Sequence, residues 1–140
     1  MCATNLWAVN GAAFTPDFEA FTAERLGVAP ERSELRIASD RVRGSSAVFT
    51  LTTRMCDCDA LVGRGDAAEV AGEVRGEDLL SWIRDLPERV PHVSRLAVLR
   101  AWSPESDDVA PVRARGVRAT EVDEATLRGL GDDELLTIDY

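Results

Sequence analysis

Two short runs, "TNLWAVN" (4–10) and "SRLAVLRAW" (94–102), restrict the fold more than anything else in the chain. Each is apolar at odd and even positions alike. Successive side chains of a β-strand point to opposite faces of its sheet. A strand that is apolar on both faces belongs in the middle of a sheet, with material packed above and below it.

The segments between and around these runs supply that cover. "TPDFEAFTAERLG" opens on Thr15 as a natural N-cap, with Pro16 at the first helical position and Asp17 in the first turn. It closes on Gly27, a C-terminal stop. A helix over about residues 16–26 is predicted. "SELRIASDRVRGSSAVFTLTTR" reads as two strands about an Arg-Gly-Ser turn, with Leu35 and Ile37 on one and Phe49 and Leu51 on the other. Leu79, Leu80, Ile83 and Leu86 fit a second helix that should stop at Pro87. Residues 66–75 fit helix, loop or a short strand, because Gly72 and Gly76 each cost a helix about 1 kcal/mol. "SPESDDVAP" (103–111) reads as a loop, "VRARGVRATEV" as a strand, "EATLRGL" as one or two helical turns, and "ELLTIDY" as a closing strand.

The order is strand, helix, strand, strand, helix, strand, then an appendix. It predicts an α+β fold: a ferredoxin-like β-α-β-β-α-β antiparallel sheet with a C-terminal β-rich extension. At 140 residues the chain is expected to be a single domain, with a core over 1–103 and an extension over 104–140. The first and third strands should then be antiparallel neighbours.

That neighbour relation bears on the only chemically distinctive stretch, "TTRMCDCDALVG" (52–63). The start of strand one must lie beside the end of strand three. Cys2 precedes the first; Cys56 and Cys58 follow the second. All three thiols are thus expected at one edge of the sheet. If the strand runs on regularly, Cys56 and Cys58 share the wetter face with Thr50, Thr52 and Arg54, while Asp57 and Asp59 point away.

A disulfide within Cys-x-Cys would be strained, since two strand residues span about 6.6 Å between α-carbons. A bridge from Cys2 to either partner is easier. The sharper expectation is a metal site on Cys2, Cys56 and Cys58, for which zinc or copper(I) is the suited ion. Its competitor is three free, partly buried thiols. The single histidine, His92, precedes strand four at the opposite end of the sheet and is not expected to be a ligand. A cysteine nucleophile is disfavoured, because Asp57 and Asp59 oppose a thiolate and only Arg54 favours one.

The formal charge of −9 argues against nucleic acid and anionic membrane as partners. No apolar run reaches the length of a membrane span. The opening residues lack the pattern of a signal peptide, so the cytoplasm is the expected compartment. The arginine clusters at Arg41 and Arg43 and at Arg113, Arg115 and Arg118 read as solvated strand faces. Asp107-Asp108 and Asp132-Asp133-Glu134 lack the alternation of a cation loop. Trp7, Trp82 and Trp102 read as core or interface anchors, and "RGD" (64–66) as chance. No nucleotide or hydrolase motif is present.

The reading that follows is an acidic binding module without a catalytic constellation, whose partner is another protein or a second copy of the chain. A thiolate metal or redox protein is the second reading. A small-molecule enzyme with a pocket between sheet and helices, probed first at Arg54 and His92, is the third.

Overall fold

A computed structural model describes residues 2–140. The main sheet has six strands: β1 (Ala3–Val9), β2 (Glu31–Arg32), β4 (Ala47–Thr50), β5 (Arg95–Trp102), β7 (Arg113–Arg118) and β8 (Glu134–Asp139). They lie in the order β2-β4-β1-β5-β8-β7. All neighbours are antiparallel except β7 and β8. The two strands that are apolar on both faces, β1 and β5, occupy the middle, paired along their full length from Ala3 opposite Trp102 to Val9 opposite Leu96.

Three helices stand on one face: α1 (Pro16–Leu26), α2 (Gly76–Arg89) and the short α3 (Glu124–Arg128). Thr15 caps α1 by accepting the Phe18 N–H at 3.3 Å. Gly27 ends it in the left-handed region, with φ 73°. Leu79, Trp82, Ile83 and Leu86 form the buried stripe of α2. Under the helices Trp7 meets Trp82 edge-on at 5.5 Å, and Phe18 meets Phe49 at 5.2 Å. Each such side chain contributes on the order of 2–3 kcal/mol by its burial. The indole N–H of Trp82 is satisfied by the Thr22 hydroxyl at 3.0 Å. Trp102, in contrast, is 40 % exposed.

Three expectations need correction. The strand order differs from the ferredoxin-like pattern. Leu35 and Ile37 do not join the main sheet: β3 (Arg36–Ile37) pairs in parallel with β6 (Asp108–Val109), inside what reads as a loop. This two-stranded ribbon buries Ile37 and Val109 against Leu6, Leu99 and Leu135 on the second face of the sheet. Beside β4 its place is taken by β2. The C-terminal strands continue the same sheet beyond β5.

The second correction is that α2 runs through Pro87 to Arg89. A proline inside a helix orphans the carbonyl four residues earlier. Here that carbonyl, Ile83 O, accepts the Tyr140 hydroxyl at 2.6 Å. Third, β4 stops at Thr50, so the cysteines lie in a bent segment and not on a regular strand. No helix among the described residues is long and apolar enough to cross a membrane.

Candidate metal centre

Only half of β1 is paired with β4, from Trp7 to Val9. Along the other half the edge of β1 is met mainly by Asp57. Its N–H donates to Ala3 O at 2.9 Å, and its carboxylate Oδ2 accepts the Asn5 N–H at 2.6 Å. The Thr52 hydroxyl donates to the same oxygen at 3.0 Å. Asp57 thereby takes the place of a neighbouring strand and is buried, with 3 % of its surface exposed. Burial pushes its carboxyl above the usual aspartate range, and the charge of Glu73 adds to the rise. The bonds from Asn5 and Thr52 and the charge of Arg100 act the other way.

With Asp57 turned inward, Cys56 and Cys58 on either side of it come together. The Cys56 thiol donates to Cys58 Sγ at 3.2 Å. Cys2 joins them from the start of β1, where its N–H donates to Ser103 Oγ at 3.1 Å and its carbonyl accepts the Ser103 N–H at 2.8 Å. The three sulfurs lie within 4.8 Å of one another. All three cysteines are free; Cys2 is exposed and the other two are half-buried. The Ala3 N–H donates to Cys58 Sγ at 3.4 Å. Cys56 and Cys58 stand this close because the bend removes the strand spacing that would hold them apart.

Sulfurs that share one ion at a bond length of about 2.3 Å lie about 3.8 Å from one another in a tetrahedral arrangement. A triangle with no edge above 4.8 Å is close to that size. Three thiols close together can hold a metal. No aspartate completes the set: Asp57 is committed to β1, and Asp59 pairs with Arg54 at 3.2 Å and Arg64 at 3.7 Å. His92 sits in an exposed turn with φ 70°, before the far end of β5.

Behind the thiols Arg100 is 7 % exposed. It donates to Val62 O at 2.8 Å and pairs with Asp132 at 3.3 Å. Gly63, at φ 81°, makes room for it; a Cβ there would fall on the guanidinium. Arg54 is drawn away to Asp59 and to Ala71 O at 2.8 Å. Asn5 Oδ1 and Glu73 Oε1 have no hydrogen-bond partner, and both residues line a cavity of about 30 Å³ beside Asp57, room for one water molecule.

The sequence reasoning brought the three thiols together and missed Asp57, which holds them there. An acid in "CDCD" reads as solvated, and nothing in its spacing marks it as buried. No protein-family model, curated protein or solved structure matches this chain.

Proposed function

We propose that this protein binds a soft metal ion through Cys2, Cys56 and Cys58, and that the ion is copper(I) in preference to zinc. The supporting observation is the triangle of sulfurs within 4.8 Å, assembled from the start of β1 and the segment after β4. Thiolates select soft ions. A structural zinc site wants four protein ligands, and among the described residues only these three converge. Three-coordinate thiolate copper(I) needs no fourth. Zinc at the same place would need a ligand from solvent, which is the form of a catalytic and not a structural site. The reading takes up the second of the sequence expectations, the thiolate metal protein, in preference to the first, a module for a protein partner.

The test is anaerobic titration of reduced protein with copper(I) and, separately, zinc, each against a competing chelator. One copper(I) per chain, with sulfur-only coordination in X-ray absorption, is expected. Three thiols that stay fully reactive toward a thiol reagent when either metal is present would overturn the proposal.

A further inference from the structure

At the end of the sheet away from the thiols, the strand register lines up small residues across the second face. Ala8 of β1 lies opposite Ala97 of β5, Ala97 opposite Thr137 of β8, and Thr137 opposite Gly116 of β7. The row nearer the thiols is Leu6, Leu99 and Leu135, roofed by Ile37 and Val109. The row beyond is polar, with Arg95 paired to Asp139 at 2.6 Å. A row of small side chains beside a row of large, roofed ones leaves a trough.

The wall of the trough is the segment 41–46. Val42 packs onto the second-face cluster, which leaves Arg41 and Arg43 on either side of it. Gly11 lets the Ser45 carbonyl approach closely; a Cβ at Gly11 would collide with it. The Arg41 guanidinium reaches over the sheet, within 3.4 Å of where a Cβ on Gly116 would sit. The cavity measures about 230 Å³, and Arg41, Arg43, Ser46 and the ion-paired Arg95 and Asp139 line it above Ala8 and Ala97.

Its charge is out of keeping with the rest of the molecule. The chain carries −9, and most of its arginines are paired with acids. Among the described residues, the guanidinium groups of Arg41 and Arg43 have no acidic or hydrogen-bonding partner, and neither has the Ser46 hydroxyl. Two unengaged guanidinium groups, which only donate, and a hydroxyl that can donate line this concave surface, and its one carboxylate, Asp139, is already engaged by Arg95. Guanidinium forks match the oxygens of phosphate and carboxylate in pairs.

We propose that this trough binds a small molecule carrying an oxyanion, phosphate or carboxylate, with the oxyanion held by Arg41 and Arg43 and the body lying on Ala8 and Ala97. The volume falls below the roughly 300–1,000 Å³ of pockets for drug-sized ligands, so the body is a single ring or a few carbons. The site is independent of the thiols and of any metal.

Calorimetric titration of the full chain at constant ionic strength tests this with inorganic phosphate, phenyl phosphate and benzoate. Saturable binding of at least one is expected. Phosphate binding without benzoate assigns the site to phosphate esters; the reverse assigns it to carboxylates. The double variant R41A/R43A should weaken binding about ten- to a hundredfold, from the loss of two charge-assisted contacts. R36A/R75A, which changes the net charge equally at exposed positions elsewhere, should leave it unchanged. Absence of saturable binding up to about 10 mM, or equal weakening by both double variants, would overturn the proposal. Equal affinity for inorganic phosphate and phenyl phosphate would overturn the role given to the alanine floor.

Discussion

Cys2 leaves one end of β1 and Asn10 leaves the other, and the two ends are held by different means. At the Cys2 end a single acid, Asp57, fills the gap beyond β4 with its main chain and its carboxylate, and the thiols follow from its placement. At the Asn10 end, Asn10 Oδ1 accepts the N–H groups of Ser94 at 2.9 Å and Arg95 at 3.3 Å, and the charged groups stand on the rim. The first end depends on one buried group that titrates. The second depends on surface groups, among them the Asn10 carboxamide. Chemistry concentrated in one residue is sharper and more fragile than chemistry spread over a rim.

Substitutions can break that contrast. The largest effect is expected from Cys58→Ser, which removes one of three ligands. Copper(I) affinity should fall by more than about a hundredfold, beyond the loss caused by removing an outer-sphere partner. Competition with a chromophoric chelator would measure it, and a loss of only a fewfold would show that the triangle is not the site.

Asp57→Ala comes next. It strands the buried Asn5 N–H and should cost about 2–3 kcal/mol in urea unfolding. Metal affinity should drop with it by about ten- to a hundredfold as the thiols separate. Asp57→Asn keeps an acceptor and avoids the burial of charge, so it should cost less than about 1 kcal/mol at neutral pH. If the alanine and asparagine variants were equal, Asp57 would not be acting as an acceptor for β1.

At the other end Tyr140→Phe removes the hydroxyl that satisfies Ile83 O above Pro87. A loss of about 1 kcal/mol is expected, and amide exchange along α2 should show it first.

The pH profile sharpens the contrast further. Asp57 has a folded pKa raised above its unfolded value of 3.8. Its contribution to stability is therefore fully present below that value and is lost as pH rises through the folded pKa. Asp108, held by Arg36, and Asp123, held by the hydroxyl and N–H of Thr126, are lowered, so their contributions are lost as pH falls. Denaturation of wild type and Asp57→Asn from pH 4 to 8 should show the wild type losing ground to the variant as pH rises. The opposite trend would mean that Asp57 is not buried as a charge.

Much of this was legible from sequence. The caps of α1 are written in Thr15, Pro16 and Gly27, which act locally. The central position of β1 and β5 follows from apolar residues on both faces. The thiols meet because antiparallel neighbours must run in opposite directions. What escaped depends on partners far along the chain. Period-two alternation puts Ile37 on a buried face but does not say which strand it joins, and it joins Val109. Pro87 is tolerated because Tyr140 arrives from another strand. Arg41 and Arg43 read as solvated until the register of four strands sets small residues beneath them.

The bonds around Asp57 have one more consequence. Ala3 N–H ends on Cys58 Sγ and Asn5 N–H on the Asp57 carboxylate, so two amide protons of the opening strand are held by the segment that carries the thiols. Exchange of those protons with deuterium requires that segment to lift away. An ion clamped between the sulfurs would pin it down, and its arrival would register in the slowing of two isotope-exchange rates at Ala3 and Asn5, residues that are not themselves ligands.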